Sequence, residues 1–276
     1  MSENRRAERT VLCDISSGEL LPALEANMIA FWSPYGRGPD GTVVSNPQLA
    51  WFYTGIPSPL FNGVLSVRLD HGGVEEVIDR LKAKIAAHGV PALWWIGPLS
   101  KPDDIGELLR HHGIVPAGEV PAMAIDLARL EATDAPITNL AIRRVEDAQA
   151  RVLWARTAAA GTGFTEEVGD AMVAVESGLA DPSYDAQHRY IGFLDGRPVA
   201  TSAMVLHAGV AGIYAVATLP AARLRGIGTA MTTVPLLEAR MMGYRVGILQ
   251  ASSAGLALYR ALGFDYVGQY VLHLQS

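Results

Sequence analysis

The stretch RLRGIGTAM, residues 223–231, places two glycines, Gly226 and Gly228, between a strand signal and a run of good helix formers. Glycine lets backbone amides come close to a ligand because it has no Cβ, and the first N–H groups of a helix have no partner within the helix. A glycine turn at a helix start is therefore a candidate anion site, with phosphate as a common ligand. The same residues also fit an ordinary turn that needs a positive φ.

The residues around this stretch predict strands that alternate with helices. Strand signals lie at 140–145, 189–195, 198–208, 211–219, 244–250 and 265–275. Helix signals run from the glycines to about residue 242 and over 253–262. Asp195-Gly196 is a hairpin turn signal, and Gly243 and Gly263 stand where helix C-caps are expected. Hairpins followed by strand–helix alternation predict a mixed α/β sheet.

The first half of the chain looks like a degenerate copy of the second. Residues 89–127 and 243–275 both run glycine, strand, loop, helix, glycine plus an apolar residue, and strand. Upstream, residues 62–69 parallel 211–219, and residues 70–85 stand in place of the glycine loop and its helix. This order of elements predicts an internal repeat.

A cluster of Thr, Asp, Pro and Asn in residues 130–150 is the best linker candidate. We therefore predict one domain over 1–137 and a second over 138–276.

Three motifs carry a resemblance to a known family. VATLPAARLRGIGTAM (216–231) resembles the acyl-CoA-binding motif of the GCN5-related N-acetyltransferase (GNAT) superfamily, with Arg223, Gly226 and Gly228 as its R-x-x-G-x-G core. LYRALGF (258–264) resembles the second signature of the family, and AIRRVEDA (141–148) its opening strand and turn. The resemblance covers the second half. It implies an α/β fold with a mixed, mainly antiparallel twisted sheet flanked by helices, in two tandem GNAT-like domains.

The resemblance also implies which residues bind acetyl-CoA or another acyl-CoA. The amides of the loop would cradle the pyrophosphate; the loop residues are Leu224, Arg225, Gly226, Ile227, Gly228 and Thr229. Arg223 and Arg225 would add positive charge, or would simply be solvated. Val216 and Thr218 would offer backbone groups to the pantetheine arm. Ser252 stands where the family often has asparagine, and either contacts the cofactor or caps the next helix.

Transfer of an acyl group to an amine needs a proton donor for the departing thiolate and an acceptor for the amine proton. Tyr259 matches the tyrosine of the second signature, and an ordinary tyrosine is protonated at neutral pH, so it is the predicted general acid. A tyrosine that only fills the core is the alternative. For the base or substrate contacts, Glu166 and Glu167 are candidates, as are Glu176, His207 or a water relay.

Composition excludes several classes of function. A net charge of −6 and a pI near 5.6 argue against a nucleic-acid surface. The polar start and the absence of a run of about 20 apolar residues predict no leader and no membrane span. The single cysteine, Cys13, excludes an internal disulfide framework. The histidines do not show metal-ligand spacing, so no metal is expected. We therefore expect a cytoplasmic protein.

Together these features predict an acyl-CoA-dependent N-acyltransferase, with acetyl-CoA as donor and a small-molecule primary amine as acceptor, acting by direct attack in a ternary complex. A protein or peptide N-acetyltransferase and a non-catalytic acyl-CoA sensor are the alternatives. The first half lacks the R-x-x-G-x-G motif and has Leu109 at the position of Tyr259. We thus expect one active site per chain, with the first half shaping the substrate pocket or forming a homodimer surface.

Overall fold

The computed structural model describes residues 11–38, 40–131, 137–179 and 187–276. The helices are α1 Leu20–Trp32, α2 His71–Ala86, α3 Ile105–His111, α4 Ala148–Thr162, α5 Glu166–Gly178, α6 Ile227–Met241 and α7 Leu256–Ala261. The strands are β1 Thr42–Ser45, β2 Leu49–Tyr53, β3 Gly63–Val67, β4 Ala92–Ile96, β5 Val115–Asp126, β6 Leu140–Arg144, β7 Gln187–Leu194, β8 Arg197–His207, β9 Val210–Thr218, β10 Val246–Gln250 and β11 Asp265–Gln275.

All of these strands belong to one sheet, in the order β1-β2-β3-β4-β11-β5-β10-β9-β8-β7-β6. Two neighbouring pairs, β3 with β4 and β9 with β10, are parallel, and the others are antiparallel. The parallel pairs stand at equivalent positions on either side of the β11–β5 pair. The predicted mixed, mainly antiparallel α/β fold is confirmed.

The two halves of the chain exchange one strand each. The last strand of the first half, β5, lies between β10 and β11 of the second half. In return, β11 lies between β4 and β5 of the first half. The run β3-α2-β4-α3-β5 matches β9-α6-β10-α7-β11, as the repeat predicts. The tandem halves therefore share one continuous sheet.

The glycines that recur in the two copies of the repeat end equivalent helices. Gly113 and Gly263 follow α3 and α7 with φ of 77° and 89°. In each case the next amide reaches back to the helix, from Ile114 N to Leu109 O at 2.9 Å and from Phe264 N to Tyr259 O at 3.0 Å. This is the pattern of a left-handed helix C-cap, which favours glycine. Gly243 ends α6 in the same conformation, with φ of 96°.

The largest core cluster lies between the halves. The first-half helix α1 packs on β8 and β9 of the second half, beside α4 and α5. The other face of the second half is covered by α6 and α7. Six first-half aromatics are buried, as expected for core packing rather than for an open pocket: Trp32, Tyr35, Trp51, Phe52, Trp94 and Trp95.

The predicted linker is only partly within the described residues, because residues 132–136 fall outside them. After it, β6 begins at Leu140, and Asp147 caps α4 by accepting a hydrogen bond from Ala150 N at 2.7 Å. The proposed boundary at 137/138 stays a prediction. In the described ranges, no helix is long and apolar enough to cross a membrane.

Candidate active site

The two parallel strands of the second half separate shortly after they meet. They pair at Ala211 with Gly247 and at Gly212 with Ile248, and no later pair is formed in the described chain. The cause is a bulge in β9, where Ala215 has a φ of 48° and the register against β8 shifts. The separation leaves a space between residues 214–218 of β9 and the segment that follows Ile248, which we call the slot.

The glycine loop lies just beyond the end of β9. Leu224 and Gly226 both have left-handed backbones, with φ of 60° and 75°, and Gly226 is the N-cap of α6. In the described chain, the backbone amides of residues 224–229 donate no hydrogen bond. Left-handed residues at a helix start turn successive N–H groups toward one point and form an anion-binding concavity. The loop therefore fits a phosphate group.

The two arginines of the loop differ in what they contact. Arg223 donates from Nε to Thr218 O at 3.0 Å and from Nη2 to Gly161 O at 2.9 Å. It thus ties the end of β9 to the end of α4. Arg225 is exposed beside the free amides. The geometry favours Arg225 as the source of positive charge and assigns Arg223 a structural contact.

Tyr259 lies on α7, against the start of α6. It is 8% exposed, and its ring packs over Gly255, where an added Cβ would be 2.7 Å from Tyr259 Cε2. Burial raises the pKa of Tyr259 to about 12, and the neighbouring Thr232 side chain lowers it to a smaller extent. Thr232 in turn donates to Gly228 O at 2.9 Å. Tyr259 is therefore protonated at neutral pH and packs against α6.

The remaining predicted cofactor contacts have clear positions. Val216 and Thr218 lie in the slot-lining part of β9, and the Thr218 carbonyl accepts from Arg223. Ser252 Oγ accepts from Gly255 N at 3.2 Å, so its side chain caps the turn before α7. Of its two predicted roles, the structure supports capping.

The base candidates lie in different environments. Glu166 and Glu167 are exposed on the first turn of α5, where a negative charge stabilises the helix start. Neither forms an ion pair in the described part of the chain. His207 ends β8 at the turn before Val210, the end of β9 that is remote from the slot. The structure assigns none of these three a contact with the slot.

Glu176 is fully buried and is held by charged neighbours. Arg189 Nε lies 2.6 Å from Glu176 Oε2, and Arg151 Nη1 lies 3.4 Å from the same oxygen. Tyr35, from the first half, donates to its other oxygen. This carboxylate is an ionic partner in the core, and both of its oxygens already contact these neighbours.

The side chains at the closed end of the slot had no signal in the motifs. Tyr214 precedes the bulge, and Gln250 ends β10. Tyr214 donates to Asn27 Oδ1 at 2.8 Å and stacks on Phe31 at 4.2 Å, both on α1 of the first half. The first half therefore reaches the candidate site through this helix.

The equivalent space in the first half is closed. Lys101, in the loop after β4, donates its amide to Val67 O at 2.8 Å and accepts from Leu69 N at 3.2 Å. These bonds join β3 to the loop across the gap that stays open in the second half. Leu109 occupies the place of Tyr259 and is fully buried. The first half therefore has neither an open slot nor a proton donor at this position.

The described residues contain no group of three or more His, Cys, Asp or Glu side chains arranged to hold a metal ion.

Comparisons with known proteins identify the fold. Neither a scan of family models nor a search of curated proteins gives a match. Among solved structures, a GCN5-related N-acetyltransferase from Kribbella flavida is similar with a TM-score of 0.62 and 19% identity, covering 90% of this chain and 94% of that one. A tandem GNAT protein from the clavulanic acid biosynthesis pathway is similar with a TM-score of 0.61 and 11% identity, covering 90% and 86%.

A third structure, the GCN5-related N-acetyltransferase from Sphaerobacter thermophilus, has a TM-score of 0.57 and 18% identity, and covers 85% of this chain and 75% of that one. At these identities the likeness concerns the fold. This chain has the GNAT fold in a tandem arrangement, which confirms the resemblance drawn from its motifs at the level of structure. The fold by itself identifies neither an activity nor an acceptor.

Proposed function

We propose that the protein is an acyl-CoA-dependent N-acyltransferase that transfers an acyl group, with acetyl as the simplest case, to a primary amine of a small molecule. The observation that carries the proposal is the continuity of the site. The slot beside β9 leads from the bulge at Ala215 to the free amides of residues 224–229, and Tyr259 lies on α7 against Thr232 of α6.

The residues present fit a CoA ester. The free amides and Arg225 would hold the pyrophosphate. Beyond Tyr214, the side of β9 that no longer pairs with β10 would offer backbone groups to the amides of the pantetheine arm. The thioester would then lie near the bulge, between the two helix layers that cover the sheet.

In the proposed reaction, a neutral amine attacks the thioester carbon, so that a C–N bond forms and the C–S bond breaks. Tyr259 would donate its proton to the sulfur, and water would take the proton that the amine loses. An acyl-enzyme route through cysteine is disfavoured because Cys13, the only cysteine, is exposed near the start of the chain. We therefore propose direct transfer in a ternary complex.

The test is thiol release from acetyl-CoA across a panel of small amines and short peptides, with wild-type protein, Tyr259→Phe and Gly226→Glu. We expect acceptor-dependent release that is lost in Gly226→Glu and slowed in Tyr259→Phe. Activity on peptides alone would reassign the acceptor. Tight acetyl-CoA binding without turnover on any acceptor would support a sensor, and absence of binding would refute the proposal.

A further inference from the structure

The closed end of the slot is formed by one residue from each strand. Gly212 pairs with Ile248, so Tyr214 and Gln250 are the next residues that point to the same face of the sheet. This is the face of α1, α4 and α5, because Tyr214 and Ile248 belong to the same core cluster. Tyr259 belongs to the cluster on the opposite face. Tyr214 and Gln250 thus close the slot on the face away from the proton donor.

Tyr214 is fixed in place by the first half. Its ring is parallel to that of Phe31 within 9°, and its hydroxyl is bound by Asn27. Asn27 Nδ2 lies 3.0 Å from the carbonyls of Val205 and His207 and 3.2 Å from that of Val210. These contacts orient the Asn27 amide so that its oxygen faces Tyr214.

The fit between Asn27 and β9 is close. A Cβ added at Gly212 would lie 2.0 Å from Asn27 Oδ1. The glycine is therefore required for α1 to approach the strand. Since interiors are close-packed, a ring held on this many sides does not give way at low cost.

Gln250 contributes a polar group at the same point. Its Nε2 atom is buried, and its side chain interacts with the Tyr214 hydroxyl. Burial raises the pKa of Tyr214, and this interaction lowers it to a smaller extent. An alkyl tail that displaced this contact would leave a buried amide unpaired, which is unfavourable. The closed end of the slot is thus both sterically blocked and poorly suited to a hydrocarbon tail.

We propose that Tyr214 and Gln250, with Tyr214 held by Asn27 and Phe31, limit the length of the acyl group that the site accepts. This inference rests on the proposed function. With the phosphates at residues 224–229 and the pantetheine along β9 from Thr218 toward Ala215, the acyl group extends toward Tyr214 and Gln250. A short group ends before them, and a longer tail meets the ring and the amide. The first half thereby sets donor specificity through α1 and holds no second active site.

Binding measurements test this without knowledge of the acceptor. Dissociation constants of CoA, acetyl-CoA and hexanoyl-CoA are measured by calorimetry for wild type, Tyr214→Ala, Gln250→Ala and Leu65→Ala. Leu65 is the matched control: it is fully buried and occupies the first-half position that corresponds to Tyr214. We expect wild type to bind hexanoyl-CoA at least about tenfold more weakly than acetyl-CoA, since overpacking is costly.

Tyr214→Ala and Gln250→Ala are expected to reduce this difference to about threefold or less, and Leu65→Ala to preserve it. If Tyr214→Ala does not fold, Gln250→Ala decides. Equal affinity of wild type for acetyl-CoA and hexanoyl-CoA overturns the inference. A preference for acetyl-CoA of about tenfold that persists in both Tyr214→Ala and Gln250→Ala also overturns it. If CoA itself does not bind to wild type, the proposed function fails. That result differs from one in which CoA binds but the two esters bind equally, which refutes only the inference about acyl length.

Discussion

Replacement of Gly226 with alanine tests whether the conformation of the loop makes the anion site. Gly226 has a φ of 75°, and an added Cβ would come no closer than 3.6 Å to Ile137 Cδ1. The methyl group therefore fits, and the cost comes from the backbone alone. For a residue with a Cβ, the left-handed conformation costs about 1–2 kcal/mol.

This cost predicts the size of the effect on binding. Alanine favours other loop conformations, in which the amides of residues 224–229 no longer converge. CoA binding must then restore the left-handed conformation, so the dissociation constant should rise roughly 5- to 30-fold, the factor that corresponds to 1–2 kcal/mol. Calorimetric titration with CoA measures this, and thermal denaturation without ligand measures the part of the cost that the free protein retains, at about 2–4 °C of midpoint per kcal/mol.

Gly243→Ala is the matched control. Gly243 ends the same helix, with φ of 96° and no atom within 4 Å of an added Cβ. It carries the same backbone penalty at the end of α6 remote from the loop, so stability should fall and CoA affinity should stay as in wild type. Unchanged CoA affinity in Gly226→Ala, alongside equal losses of stability in the two variants, would refute the loop's role in binding.

Three further predictions concern buried ionisable groups. Tyr259→Phe should lower kcat about 100-fold or more while the CoA dissociation constant changes less than threefold; a kcat near wild type would exclude Tyr259 as the acid. Because burial raises the pKa of Tyr259 from 10.0 to about 12, the folded state keeps this proton longer than the unfolded state. Its contribution to stability is thus complete below pH 10 and is lost as the pH rises through 12, by at most about 3 kcal/mol. Denaturant unfolding should show a smaller loss over this interval in Tyr259→Phe, and identical pH profiles would contradict the assignment. Glu176→Gln should lower the free energy of unfolding by about 3–5 kcal/mol, because Arg189 loses its buried counter-charge; urea titration measures this, and a loss below 1 kcal/mol would show that the pair is dispensable.

Local features of the site could be predicted because short segments determine them. Gly226, Gly243 and Gly263 adopt the left-handed conformations that their positions indicate, and Asp195-Gly196 forms the expected hairpin turn with positive φ at both residues. These conformations depend on the absence of a Cβ or on a short polar side chain, and both can be read from the residue type alone.

The features that depend on distant contacts could not be predicted. Nothing in DYVGQYVLHLQ indicates that β11 pairs with Trp95 and its neighbours on β4, far away in the chain. Alanine in a strand gives no sign of the bulge at Ala215, which opens the slot. Asn27 and Glu25 are the polar residues of the otherwise apolar helix α1, and Asn27 was the available signal for the contact between α1 and β9. Arg223 was expected to add positive charge or to be solvated. Its guanidinium instead donates to the Thr218 and Gly161 carbonyls, and the second of these contacts exists only because α4 packs near β9.

The exchange of β5 and β11 has a consequence for biosynthesis. β11 is the last described strand to leave the ribosome, yet it completes the centre of the sheet, between β4 and β5. Until residues 265–275 are made, the first half exposes an edge on each of these strands, and an unpaired edge is a template for aggregation. Folding is then governed by contacts of high sequence separation, which are slow to form. We therefore expect a version of the chain that lacks residues 265–275 to aggregate through the exposed edges of β4 and β5.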